Sequence, residues 1–280
     1  MESVINFKIQ QLDALGILHR PQQAVKTAVL LVVGGPQYRV GSHRQFVQLS
    51  RYLANNNIIS FRIDTRGMGD AAGDKQPFDQ IDDDLRAATD CLLKTCPEID
   101  NVVIWGLCDA ASAALLYGYQ DPRVSGLVLL NPWLKNEQAM AKSMVKHYYL
   151  QRLFSRNFWR KFLQGQVNVG GSLKEAKGIV ASSVQKQTTE LASYQQRMLD
   201  GAKAFSGPIC LILSGNDLTA KEFSEQTASN KEWKRFVQQQ CQTHHCEKAD
   251  HTFSSREFKN RVEQITGQFV LSIEEGNGTR

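Results

Sequence analysis

The chain has no apolar run approaching the roughly twenty residues of a membrane-spanning helix, no Cys-x-x-Cys pair, and no repeat or low-complexity tract. The first absence excludes a helical membrane span. Residues 1–20 also lack the basic start and long apolar stretch of a secretory leader. Six cysteines (91, 96, 108, 210, 241 and 246) are scattered without the spacing of a disulfide framework. Reduced thiols in a cytoplasmic protein are therefore expected. What is present is a composition able to build a core: 42% hydrophobic and 22% charged residues over 280 positions. That fits one large α/β domain or two smaller ones.

From Thr27 onward, strand-like runs alternate with helix-like ones, which predicts a mostly parallel sheet covered on both faces. The expected strands are Ala28–Val33, Ile58–Ile63, Val102–Trp105, Val124–Leu130 and Ile209–Leu213. Residues 3–9 and 14–19 are expected as antiparallel edge strands. Helices fit His43–Asn55, Ile81–Cys96, Ala110–Tyr119 and Ser255–Leu271. The last follows a Ser254-x-x-Glu257 capping box and carries Phe258, Val262, Ile265 and Phe269 at helical spacing. Glu274–Arg280 reads as a frayed tail. Residues 134–200 show helical patterns without a convincing strand, so they are expected as a cap inserted into a core made of 1–133 and 201–280.

The most informative segment is Asn101–Leu116. A β-branched strand runs into Gly106-x-Cys108-x-Ala110 and then into a helix of small residues. This is the pattern of a nucleophile elbow with cysteine in the central position. A one-residue reversal from strand to helix strains the central residue and brings its neighbours close, so positions two before and two after must be tiny. The turn would leave the sulfur at the carboxyl end of the sheet, where a helix N-terminus favours thiolate. The plainer alternative is that Cys108 is a small buried hydrophobe.

A covalent cysteine mechanism needs a base, and the base needs an orienting acid. Asp217 stands at the exit of the strand beginning near Ile209, and His251 lies in a loop before the final helix. The order Cys108, Asp217, His251 is that of α/β-hydrolases.

Other clusters carry less. Cys241, His244, His245 and Cys246 offer zinc-type ligands, but strand alternation would turn them to opposite faces, so no metal is expected. Asp82, Asp83 and Asp84 open a helix and complement its dipole. Asp64–Asp70 reads as a turn-rich loop with a structural salt bridge. Within Leu134–Lys161, seven basic residues face one acid, Glu137. There Arg152, Arg156 and Arg160 share a four-residue spacing with Phe154, Phe158 and Phe162. The basic face is either simply solvated or draws an anionic acyl donor, a carrier-bound acyl group or a membrane surface. Nucleic acid is not expected, because the charge is local and no nucleic-acid module is present.

The chain resembles α/β-hydrolases over nearly all its length. More narrowly, Gly34–Phe46, the Asp64–Asp70 turn, Gly106–Ala114 and Leu129-Leu-Asn-Pro-Trp133 resemble the exosortase-A-system-associated hydrolases of bacterial exopolysaccharide gene clusters. The resemblance implies an α/β-hydrolase fold and a Cys108–Asp217–His251 triad; it brings no substrate with it, and no cofactor is expected. The elbow cysteine is also similar to that of dienelactone hydrolases.

Two departures from the hydrolase pattern matter. The loop after the first parallel strand reads Gly34-Gly35-Pro36-Gln37, and Pro36 has no N–H to give an oxyanion. Gly35 or Gln37 must donate instead, beside the amide of Asp109. The Asp109 carboxylate, adjacent to the nucleophile, should oppose oxyanion charge. It either turns away into a local hydrogen-bonded pocket or binds a substrate hydroxyl or amine. The expected function is hydrolysis or transfer of an acyl group from an ester or thioester. The alternative is a catalytically silent hydrolase fold that serves polysaccharide export as an assembly partner.

Overall fold

A computed structural model describes residues 1–135 and 194–278. The chain divides into two compact units, Met1–Leu134 with Arg197–Arg280, and Lys135–Gln196. The account below concerns the first.

Eight strands form one sheet: β1 (Glu2–Ile9), β2 (Leu12–His19), β3 (Thr27–Val32), β4 (Ser60–Ile63), β5 (Asn101–Leu107), β6 (Val124–Leu130), β7 (Ile209–Ser214) and β8 (Cys241–Cys246). Their order is β1-β2-β4-β3-β5-β6-β7-β8. β1/β2 and β2/β4 pair antiparallel, and every other pair is parallel. This is the α/β-hydrolase architecture. Only β1 of the first hairpin is an edge; β2, expected at the border, lies one strand in. The central strands β3, β5 and β6 are short runs of Val, Leu and Ile because both their faces are covered.

One face packs on α1 (Gln45–Asn55) and on the final helix (Arg256–Gly278). Phe46 meets Trp105 edge-on, with ring centroids 5.2 Å apart. The Trp105 indole donates to Thr266 Oγ1 at 3.3 Å, so this fully buried donor is satisfied. Each large side chain buried here contributes about 1.5–3 kcal/mol. α2 (Asp82–Thr95) and α3 (Asp109–Tyr117) complete the helices that precede the inserted unit.

Several expectations need correction. Ser255, not Ser254, caps the final helix, with its Oγ accepting from Phe258 N at 3.2 Å. Ser254 is instead tied to the Asp250 carboxylate through its own amide, at 2.9 Å. The tail does not fray at Glu274, since the helix continues to Gly278. Ile273 packs there on Gly126, and Glu274 accepts from Lys26 N and Thr27 Oγ1 at 3.1 and 2.8 Å. Two surface helices, α4 (Leu218–Ser229) and α5 (Lys231–Gln240), were not expected from the pattern. α4 buries only Ala220, Phe223 and Thr227, too few apolar positions for periodicity to stand out.

The Asp64–Asp70 turn is pinned by ion pairs. The fully buried Asp64 carboxylate accepts from Arg39 N at 2.6 Å and Asp70 N at 3.1 Å and pairs with the Arg39 guanidinium. Gly69 leaves it that room: a Cβ there would stand 2.2 Å from Asp64 Oδ2. Arg66 Nη2 lies 2.8 Å from the carboxylate of Asp84, itself fully buried at the start of α2. The acidic opening of α2 therefore does more than complement a dipole: it anchors this turn beside the carboxyl ends of the strands.

Candidate active site

Cys108 sits between β5 and α3 with φ 62° and ψ −123°, a conformation that side chains rarely adopt. The sequence explains the close packing that holds it. A Cβ on Gly106 would lie 2.6 Å from the carbonyl carbon and oxygen of Ala110, so only glycine fits. The Cys108 amide donates to Leu130 O at 2.9 Å, and its carbonyl accepts from Ala111 N at 3.1 Å and Trp133 N at 3.2 Å. The elbow is thus fastened both to its own helix and to the exit of β6.

Asp217 follows β7 and caps α4, accepting from Ala220 N at 2.9 Å. Its Oδ2 lies 2.9 Å from His251 Nδ1, an ion-pair distance, with the N–H off the axis of an ideal hydrogen bond. The Cys108 side chain lies close enough to the same imidazole to help raise its pKa. Three residues from distant parts of the sequence therefore meet at the carboxyl edge of the sheet, where open α/β sheets bind ligands. The bond to Asp217, then the nearby Cys108 side chain, raises the His251 pKa to about 10 against the opposing effect of burial. Burial pushes the Asp217 carboxyl upward, but bonds from His251 and from the Ala220 amide outweigh it and leave the pKa lowered.

The loop carrying His251 is held by residues that the sequence reading passed over. Asn131, fully buried with φ 44°, donates from Nδ2 to His251 O at 3.1 Å and to Ser214 Oγ at 2.7 Å. Its Oδ1 accepts from Ser214 N at 2.9 Å. Phe253, at φ 52°, anchors the loop in the core. The available signal was Asn131-Pro132 directly after a strand, because asparagine tolerates the left-handed region.

Gly35 has φ 64°, which suits glycine, and its amide donates to Asp109 Oδ1 at 2.7 Å. Gly35, one of the two sequence candidates for an oxyanion donor, thus reaches the side chain of the residue after Cys108. Gln37 uses its Oε1 within its own loop, accepting from Ser42 N at 3.0 Å. Asp109 is half-buried, and burial raises its pKa even though the Gly35 and Ala110 amides pull the other way. Its side chain is locally hydrogen-bonded, through the Gly35 amide, which is also one of the amides expected to hold an oxyanion. A cavity of about 270 Å³ adjoins it, lined among others by Met68, Lys75, Phe78, Ile81, Asp109 and Trp133. Phe78 and Trp133 meet edge-on at 5.2 Å on its wall.

The cap arginines Arg152, Arg156 and Arg160, with Phe154, Phe158 and Phe162, lie outside the described residues. Cys241, His244, His245 and Cys246 follow one another along β8, and no group of three or more side chains able to hold a metal comes together among the described residues.

The sheet, the strained elbow and the loops at its carboxyl edge define an α/β-hydrolase. Over residues 23–255 the chain matches the family model described as serine aminopeptidase, S33, and belongs to that family, with cysteine at its elbow. It is 28% identical over 130 residues to acyltransferase drtE of Aspergillus calidoustus, covering 45% of this chain and 42% of that protein. The chain thus spans less than half the length of this curated relative. Among solved structures, the Pyrococcus furiosus esterase PF2001 superposes with a TM-score of 0.67 at 16% identity, over 98% of this chain and 91% of that one. Est1E from Butyrivibrio proteoclasticus gives 0.62 at 12% identity, over 96% and 98%. These two show a shared fold.

Proposed function

We propose that the protein is a cysteine-nucleophile hydrolase or acyltransferase acting on an ester or thioester through an acyl-cysteine. The observation that carries this reading is the contact of one imidazole with both the Cys108 side chain and the Asp217 carboxylate. With its proton on His251, the Cys108 sulfur attacks the acyl carbonyl carbon. A C–S bond forms and the carbonyl π pair moves to oxygen, where the amides of Asp109 and, once released by the Asp109 carboxylate, Gly35 are the candidate donors. Collapse of this oxyanion expels the alcohol or thiol, which takes the proton from His251. Water or an acceptor alcohol, losing its proton to His251, then attacks the thioester and returns the Cys108 thiolate. Each amide donor of this kind is worth about 3 kcal/mol to the transition state. Asp217 orients the imidazole and stabilises its charged form.

The name of the relative drtE, an acyltransferase, supports transfer beside hydrolysis. Six free thiols favour a reducing, cytoplasmic setting. No helix of the described residues is long and apolar enough to cross a membrane. A role in exopolysaccharide synthesis rests on the motif resemblance, and recruitment of an anionic or carrier-bound acyl donor rests on Arg152, Arg156 and Arg160. Acid quenching during turnover of a p-nitrophenyl ester, followed by peptide mass spectrometry, should find the acyl group on Cys108. Full turnover by Cys108→Ala would defeat the reading and point to another nucleophile, whereas no turnover by the wild type would favour the silent-partner alternative.

A further inference from the structure

Asp109 follows the elbow cysteine and opens α3, so its amide faces the place where the carbonyl oxygen of an acyl-cysteine would lie. Gly35 supplies the other amide with that aim. In the structure the Gly35 amide is already engaged. Gly35 N donates to Asp109 Oδ1 at 2.7 Å, and the nearby Ala110 amide also favours the ionised carboxylate. A carboxylate oxygen thus holds an amide that the reaction's oxyanion would use. The fit is tight, since a Cβ on Gly34 would stand 2.2 Å from Asp109 Oδ1. On its open side the carboxylate borders the cavity of about 270 Å³, whose wall includes Met68, Phe78, Ile81 and Trp133. Lys75 lines the same cavity, and its charge attracts the carboxylate.

We propose that Asp109 is a latch: its carboxylate fills the oxyanion site of the resting protein, and an acyl donor reacts only when its acyl group occupies the adjoining cavity and displaces that carboxylate from Gly35. This rests on the reading of Cys108 as nucleophile and deepens it by naming the substrate class, acyl groups with a medium-length or aromatic apolar body. Charge-assisted bonds to backbone amides are strong, and an acetyl group brings little apolar surface with which to replace them. Each methylene buried in the cavity strengthens binding by about fourfold, so an octanoyl chain has ample free energy to open the latch. Once released, the carboxylate has Lys75 as a partner on the cavity wall. Burial raises the Asp109 pKa, which makes the ionised resting form easier to dislodge.

The test compares kcat/KM for p-nitrophenyl acetate and octanoate in the wild type, Asp109→Ala and Asp109→Asn. The wild type should prefer octanoate strongly. Asp109→Ala, with the amides free, should gain about tenfold or more on acetate and less on octanoate, so that the preference narrows. Asp109→Asn keeps an oxygen for Gly35 without its charge and should fall between. In 15N-labelled protein the Gly35 amide proton should lie downfield and move upfield in Asp109→Ala. Equal losses on both esters in a folded Asp109→Ala, or a Gly35 amide indifferent to the substitution, would overturn the latch. If the wild type forms no adduct on Cys108, the nucleophile assignment fails and the latch with it. An adduct with unchanged chain-length preference in Asp109→Ala removes the latch alone.

Discussion

The side-chain amide of Asn131 donates to the backbone carbonyl of His251 at 3.1 Å, joining the exit of β6 to the loop that carries the imidazole. The same amide group spans to Ser214 at the exit of β7, so a single buried side chain ties together the loops around the site. Asn131→Ala would leave the Ser214 amide without its acceptor, at a cost of about 1–3 kcal/mol. Denaturant unfolding should show that loss, and kcat should fall more than KM rises because the imidazole is no longer held against Cys108. Unchanged kcat in a destabilised variant would mean that Asn131 serves stability alone.

His251 should remain protonated well above neutrality, because its pKa is raised to about 10 from an ordinary 6.5. Its stabilising contribution is complete below about pH 6.5, where the unfolded chain is also protonated, and disappears as pH rises through 10. Asp217 works in the other direction: its pKa is lowered, so its contribution is present above the ordinary 3.8 and lost as pH falls through the folded value. The stability gap between wild type and Asp217→Asn should therefore be widest near pH 4–6.5 and close towards pH 10. NMR titration of the ring carbons should also give a lower midpoint for His251 in Asp217→Asn. A midpoint that stays put would separate the two residues.

The elbow stores strain, which a pair of substitutions at one position can reveal. At φ 62° and ψ −123° a Cβ is disfavoured, and glycine is the residue that fits. Cys108→Gly should be more stable than Cys108→Ala by about 1–2 kcal/mol after allowing for glycine's greater freedom when unfolded. Both should be inactive in the ester assay. Equal thermal midpoints would show that the turn is relaxed.

Thiol chemistry should be selective. Burial raises the pKa of Cys91, Cys96 and Cys246, and takes those of Cys210 and Cys241 to about 12. Cys108 is half-buried at a helix N-terminus, beside a histidine whose pKa is raised to about 10. Iodoacetamide at pH 7 should label Cys108 ahead of the other five, as read by peptide mass spectrometry, and His251→Ala should slow that labelling. Uniform labelling of all six would count against Cys108 as the reactive thiol.

Much of the fold was legible because its signals are local. The β-branched runs of β3, β5 and β6, the tiny residues around Cys108 and the helical spacing of Val262, Ile265 and Phe269 each follow from geometry within a few positions. The surface helices after Asp217 were not legible, since a helix that buries three residues leaves little periodic trace. The persistence of the final helix to Gly278 depended on Thr27 and Lys26, far away in sequence.

The sequence by itself determined the elbow with Cys108 at its centre and the order in which Asp217 and His251 follow, because a strained turn accepts few residue types and loop exits follow strands. Tertiary structure decided which side chains meet there. Asn131 reaches His251 only because β6, β7 and β8 lie side by side in parallel. The Asp109 carboxylate reaches Gly35 only because β3 pairs with β5, which brings two loops about seventy residues apart within one hydrogen bond. No local pattern encodes such a meeting, since it is a property of strand order and register rather than of either segment.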